Sequence, residues 1–435
     1  MTPITNRRIL FTTLLASALA APAIACSNGD DTNGISDDGQ PDASAPDAPA
    51  IPNDAEDASA PDGDASTEAG ATDAAPRTCS EDAVCHTPLP PSSFLRDVWG
   101  DGDGVVWAIG WKHRLHTNAD GVILRWDGTA WTEHSTIPLR LNAVWGSSPT
   151  DIWVGGDGGL FHGTGPSSAA ITWTKVRSEP ILSIWGSSAN DVWAVGHTQY
   201  SFNGKVLHYR GGGDGWEIDP ISSRPAAYRK VWGTSASDVW LGANEFSTCG
   251  YDHCNGTRAF ALHRAPDGTW SEDGLPDFIG LGQGGGLNPG SEFSGGGSIT
   301  EGSVWMMGSR APTTYEYPTW GPVTDVLFVG TRKADGSGYT WSDTTFGTCI
   351  GFDCKGIWFN RAVWGKTPND VYLAGDQGQL RHWNGTSFSY VKTKLEKIPL
   401  MTSFYAMWGS SSTDLWIVGD EVALHKVDKS ERSKL

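Results

Sequence analysis

Short apolar runs alternate along this chain with clusters of Gly, Ser, Pro, Asn and Asp, and the alternation itself repeats. Residues 141–156 read LNAVWGSSPTDIWVGG. The pattern returns at 181–196 (ILSIWGSSANDVWAVG), 229–242 (RKVWGTSASDVWLG), 361–375 (RAVWGKTPNDVYLAG) and 405–419 (YAMWGSSSTDLWIVG). A worn copy opens the series at 97–110 (DVWGDGDGVVWAIG), and 302–308 (GSVWMMG) keeps only the second half. In each copy two runs rich in Val, Ile and Trp flank small polar residues, which predicts two short strands around a tight turn. The aromatic positions stand eight residues apart, as in Trp99/Trp107, Trp145/Trp153, Trp185/Trp193, Trp232/Trp240, Trp364/Tyr372 and Trp408/Trp416. Gly297 stands where the partner of Trp305 belongs.

A third apolar run follows each pair (VILRW, GLFH, KVLHY, AFALHR, QLRHW, VALHK), and a fourth follows most of them (AWTEH, TWTKV, GWEID, TWSED, SFSYV). Four strands per unit, repeated seven times, predict an all-β, seven-bladed β-propeller of four-stranded antiparallel blades. The last unit has only three strands before the chain stops. The segment 84–89 (VCHTPL) sits where a strand from the N-terminal side would supply the fourth and leave no open edge. The repeat resembles the VWGSS-x-x-DVWAVG propeller repeat of large envelope lipoproteins in myxobacteria and their relatives. It is more loosely similar to Asp-box (BNR) and photosystem-assembly-factor-like propellers. The turns at Asp127-Gly128-Thr129, Asp267-Gly268-Thr269 and Asp335-Gly336-Ser337 resemble degenerate Asp-boxes. The resemblance covers roughly residues 80–428. It implies the fold and says almost nothing of function, since propellers host many functions.

The first eighty residues read differently. Residues 1–25 have the form of a secretion signal: Arg7 and Arg8, then an apolar run too short to span a bilayer. Small residues lead into Cys26, which resembles a lipobox; the plainer alternative is an ordinary cleaved signal. Residues 26–78 are rich in Asp, Ala and Pro, with 13 acidic residues and one Arg after Cys26. So little of this is apolar that a disordered linker is expected, carrying the propeller of 79–435 away from a membrane. An exported protein lipid-anchored to the cell envelope, at the outer membrane or cell surface, is the expectation. The formal net charge of −19 and the lack of a basic stripe exclude non-specific nucleic-acid binding. With Cys26 assigned to the lipid, six cysteines remain in local pairs: Cys79/Cys85, Cys249/Cys254 and Cys349/Cys354. In an exported chain these read as disulfides rather than metal half-sites.

The turns between first and second strands are nearly constant, and the insertions fall elsewhere. They lie between second and third strands (111–120, 197–204, 245–258, 309–324) and between blades (274–296, 343–360). In an antiparallel blade both kinds of connection emerge on one face, where a propeller binds its ligands. The insertions are aromatic: Trp111, Tyr200, Phe202, Phe246, Tyr251, Tyr315, Tyr317, Trp320, Phe346 and Phe352, with His113, Arg114 and Asp252 beside them. Aromatics with few charges suit stacking on a sugar or anchoring a protein partner, against the plainer reading that they pack on one another. The expectation is a non-enzymatic binding module for a glycan or an envelope protein, with no catalytic residue, metal or cofactor. The alternatives are a glycan-active enzyme and a structural envelope component. An Asp-box enzyme would need an arginine cluster, and the spacing of Arg114, Arg258 and Arg310 demands no such site. His162, His208, His263, His382 and His425 recur at one third-strand position, and so read as scaffold rather than metal ligands. Asp151, Asp191, Asp238, Asp370 and Asp414 recur likewise, and read as caps of the tight turn. Gly295–Gly297 read as loop glycines.

Overall fold

A computed structural model describes residues 78–112, 119–198, 202–212, 215–248, 255–272, 292–310, 323–350, 353–355, 359–395 and 400–431. They form seven antiparallel sheets. The first strand of each blade packs against the first strands of its neighbours, and that of blade 7 against that of blade 1. The molecule is a seven-bladed β-propeller. Blade 2 is typical: Leu141–Ser148, Asp151–Gly156, Gly159–Thr164 and Thr172–Arg177, in that order from axis to rim. Blade 7 closes the ring as the sequence suggests. Its strands Phe404–Ser411, Asp414–Gly419 and Val422–Val427 are completed by Val84–His86 from the other end of the chain. Val84, Cys85 and His86 lie opposite Lys426, His425 and Leu424. The damaged copy near Trp305 is a whole blade, with Gly297 opposite Trp305, as the eight-residue spacing requires.

Each position of the repeat has a physical cause. The second aromatic is buried between blades: Trp107, Trp193 and Trp240 have no exposed surface, and Trp153, Trp305 and Trp416 almost none. The leading aromatic lies across the glycine of the next blade. A Cβ at Gly146 would stand 2.9 Å from Trp99, one at Gly186 2.7 Å from Trp145, and one at Gly100 2.5 Å from Trp408. The glycine that ends the second strand is equally constrained, for a Cβ at Gly156 would stand 1.9 Å from the Arg140 carbonyl oxygen.

The repeated aspartate, expected to cap its turn, is held by side chains instead. A bulge in the first strand turns a hydroxyl toward it: Ser147, Ser187, Thr234 and Ser410 donate to Asp151, Asp191, Asp238 and Asp414. The third-strand histidine donates Nε2–H to the other carboxylate oxygen, at 2.5 Å in His162–Asp151, 2.6 Å in His208–Asp191 and 2.8 Å in His425–Asp414. That imidazole lies flat on the second-strand tryptophan, 3.7 Å between centroids for His208 and Trp193. Burial opposes the charge on Asp151, Asp191 and Asp238, and the histidine and hydroxyl bonds outweigh it, holding all three below the usual carboxylate range. At Asp414 the His425 bond is the larger influence and acts in the same direction.

Three segments depart from the expected loops. Residues 245–248 and 255–258 extend the central hairpin of blade 4, whose strands Asp238–Thr248 and Asn255–Arg264 stay paired to Thr248↔Asn255. Part of 343–360 lengthens the outer strand of blade 5, Tyr339–Ile350, and adds a fifth strand, Asp353–Lys355. Gly295–Gly297 are not in a loop: they belong to the first strand of blade 5, Glu292–Thr300. Cys79 and Cys85 form a disulfide. Cys349 and Cys354 belong to described strands and lie opposite each other across a hairpin. Cys26, Cys249 and Cys254, with the signal and the linker as far as Arg77, lie outside the described residues.

Candidate functional site

Six of the seven first strands also break register near their start, on the side of the long connections. The breaks fall between Leu95 and Asp97, Leu141 and Ala143, Tyr228 and Lys230, Phe293 and Gly295, Asn360 and Ala362, and Phe404 and Ala406. A bulge inserts one extra residue and re-aims its side chain. The residues so displaced are Arg96, Asn142, Arg229, Ser294, Arg361 and Tyr405. Leu182, just ahead of the first strand of blade 3, holds the same place. All seven line one axial cavity of about 260 Å³. Lys230 and Asp97, the next residues along their strands, line it too. Blade 5 contributes Ser294, Gly295 and Gly296.

The cavity is basic. Arg96, Arg229, Lys230 and Arg361 face it, against the single carboxylate of Asp97. Asp97 is occupied by the scaffold: Oδ1 accepts from Val98 N and Oδ2 from Val144 N, both at 3.0 Å. Burial raises its pKa above the carboxylate norm, against the pull of Lys230 and those two amides. Arg96 and Arg361 are held from the rim. Arg96 Nη1 donates to Asp420 Oδ1 at 2.9 Å, and Arg361 grips Asp376 through Nε (2.5 Å) and Nη2 (2.9 Å). Aromatic faces fix their planes. Arg96 stacks on Tyr405 (3.7 Å) and Trp111 (4.1 Å), Arg361 lies 5.4 Å from Tyr405, and Arg140 lies 4.9 Å from Trp111. These stacks make a continuous cation–π ladder around one side of the mouth. The side chains of Arg229 and Lys230 have neither hydrogen bond nor ion pair among the described residues, and Arg229 Nε is closed off from solvent without an acceptor. Beside Arg229, burial lowers the pKa of His197, and the Arg229 charge adds to that.

Of the residues picked from sequence, Trp111 belongs to the second strand of blade 1, Val106–Lys112, rather than a loop, and is buried between Arg96 and Arg140. Phe202 is half-buried. Phe246 falls in the blade 4 strand extension. Phe346 packs against Phe388, 5.3 Å between centroids, and under Arg381. His113, Arg114, Tyr200, Tyr251, Asp252, Tyr315, Tyr317, Trp320 and Phe352 lie outside the described residues. Arg258 is engaged elsewhere. With Arg224 it forms a closed ring of ion pairs to Glu245 and Glu272, stacked over Phe260. The arginines that do converge, Arg96, Arg229 and Arg361, each stand three residues before the leading aromatic or, in the other copies, its counterpart. That phase was the available signal. Among the described residues no group of three or more His, Cys, Asp or Glu side chains is placed to hold a metal ion.

No protein-family model and no curated protein matches the chain. Solved propellers do. YCF48 bound to a D1 peptide is 15% identical with a TM-score of 0.50, over 82% of this chain and 100% of that one. The extracellular domain of a one-component system from B. thetaiotaomicron is 12% identical with a TM-score of 0.53, over 79% of this chain and 40% of that one. Virginiamycin B lyase from Staphylococcus aureus is 11% identical with a TM-score of 0.48, over 79% of this chain and 98% of that one. At these identities the likeness is one of fold alone.

Proposed function

We propose that this protein is a non-enzymatic binding module, tethered to the cell envelope through Cys26, whose ligand enters the axial mouth on the face of the long connections. One observation carries the reading: seven equivalent positions in seven blades, six of them at bulges, bring their side chains into a single cavity. A fold held together by closely packed repeats spends that irregularity where a ligand sits. The variation of these seven residues, within a repeat whose other positions are nearly fixed, fits recognition better than packing. A glycan or an envelope protein remains the expected class of ligand.

The test is binding of the full chain to an array of envelope glycans, with Arg96→Ala and Tyr405→Ala beside the parent. Lys366→Ala, exposed near the far end of the first strand of blade 6, is the control on the opposite face. Arrayed glycans should be held at least tenfold more weakly by the two axial variants and equally well by the control. Equal binding by all four proteins moves the site off the axis. Turnover of an arrayed glycan replaces the module with an enzyme.

A further inference from the structure

We infer that the axial cavity is an oxoanion site: it takes a carboxylate, phosphate or sulfate group of its ligand between Arg229 and Lys230 on one wall and Arg96 and Arg361 on the other. The inference rests on the reading of the axial mouth as the binding site and adds the chemistry of what enters it.

The argument begins with charge. The chain is strongly acidic, with 50 Asp and Glu against 31 Lys and Arg. Four cations around one small cavity therefore run against the composition. Such a cluster is costly unless an anion offsets it, because like charges repel and burial strengthens the repulsion. Two of the four are offset from behind by Asp376 and Asp420, which stand at the rim. Those bonds use Nε and Nη2 of Arg361 and Nη1 of Arg96, while the stacks on Tyr405 and Trp111 hold both planes still. The remaining N–H groups of each fork are left for another acceptor. A guanidinium held flat and anchored on one edge loses little freedom when the other edge binds, which suits a planar or tetrahedral oxoanion.

The other two cations have no such backing. Lys230 feels the Asp97 charge without an ion pair to it, and the Asp97 oxygens already accept from two backbone amides. Arg229 Nε is shut away from solvent with nothing to donate to. A buried donor without an acceptor is destabilising, and a charged one more so. An anion in the cavity that both side chains line offsets the two charges at once. The cavity of about 260 Å³ is large enough for an anionic group and open to the remainder of a larger ligand. The carboxylate of an acidic sugar and the phosphate or sulfate of a decorated glycan present the same oxygens.

The probes are sodium sulfate, sodium phosphate, sodium glucuronate and glucose, titrated calorimetrically into the full chain at constant ionic strength set with sodium chloride. At least one of the three anions should bind saturably at one site, and glucose should not. The tightest of the three identifies the source of the oxoanion. Arg229→Gln combined with Lys230→Gln should weaken that anion tenfold or more. Arg96→Lys, which keeps the charge and loses the fork, should weaken it by a smaller factor, and Lys366→Gln should leave it unchanged. Thermal unfolding of each variant without anion separates lost binding from lost folding. Absence of saturable binding by all three anions overturns the inference, as does binding that survives the double substitution or is matched by glucose. Array binding that depends on Arg96 and Tyr405 but not on the double substitution would keep the binding module and remove its anion. Anion binding with a silent array would do the reverse.

Discussion

At the scale of the residue, the repeat is a record of close approaches. The tryptophan of VWG covers the glycine of the following blade, so both letters are fixed by one contact. Gly186 shows the consequence. A Cβ there would stand 2.7 Å from the Trp145 ring and 2.8 Å from the Asp191 carbonyl oxygen, neither of which is the free end of a flexible chain. Gly186→Ala should therefore destabilise by about 1–3 kcal/mol, the usual cost of overpacking a tight interior. Gly297 holds the leading tryptophan's own place in blade 5, and the nearest atom to a Cβ there is Val363 Cγ1, at 3.1 Å. Gly297→Ala should cost well under half as much. Urea midpoints of the two variants check this, and equal losses would show that the ring stack does not fix the glycine.

At the scale of the element, the strands were legible and the bulges were not. Periodic Trp, Val and Gly announce a hairpin because burial acts on them alike in every blade. Arg96, Asn142, Leu182, Arg229, Ser294, Arg361 and Tyr405 share a position but not one residue type, so a search for what repeats passes over them. The aromatic insertions drew attention instead, and Trp111, the one with a fully described environment at the mouth, serves as a stacking surface for arginines. The strand extensions of blades 4 and 5 were hidden because Gly, Ser and Thr there resemble loop composition, while backbone pairing with a neighbour decides the outcome. The join of blades 5 and 6 adds a titratable element. Asp325 is fully buried; its Oδ2 accepts from Asn360 Nδ2 at 2.6 Å and from Asn360 N at 3.3 Å, and Oδ1 has no partner. Arg381 in turn donates to Asn360 Oδ1 at 2.8 Å. Burial pushes the Asp325 pKa up to about 7, against the smaller pull of the Asn360 bonds and Arg381. A folded-state value above the ordinary 3.8 means that the folded protein holds this proton more tightly. Its contribution is full below about pH 4, falls as pH rises toward 7, and is gone above that. Asp325→Asn removes this slope and keeps an oxygen for Asn360. The variant should gain on the parent between pH 5 and pH 8 in urea midpoint. An offset identical at both pH values would show that the buried carboxyl does not titrate there.

At the scale of the whole molecule, a ring is stable only if its last joint holds, and here three residues from the far end of the chain make that joint. Val84–His86 pairs with Val422–Val427, and Val84 is fully buried. The same segment grips the connection from blade 6 to blade 7: Ser80 Oγ donates to the Lys392 carbonyl at 2.5 Å, His86 Nε2 bonds the Thr393 carbonyl at 2.9 Å, and Glu81 pairs with Lys392. It reaches blade 1 as well, where Trp131 Nε1 donates to Thr87 Oγ1 at 3.0 Å. The Cys79–Cys85 disulfide closes a loop of sequence separation 6 within this segment. So short a loop restrains the unfolded chain only weakly, so the bridge braces the strand locally and adds little to the ring. A chain beginning at Thr87 loses the strand and the brace together. It exposes the edge of Val422–Val427 and should lose on the order of 3 kcal/mol, from Val84 burial and the ladder hydrogen bonds. It should also self-associate, since an unpaired edge recruits another. A chain beginning at Asp73 keeps both and should match the parent. Urea unfolding and sedimentation of the two truncations decide the matter: if the chain beginning at Thr87 stays monomeric with the parental midpoint, the ring is held by packing between first strands, and the closing strand is only a cover.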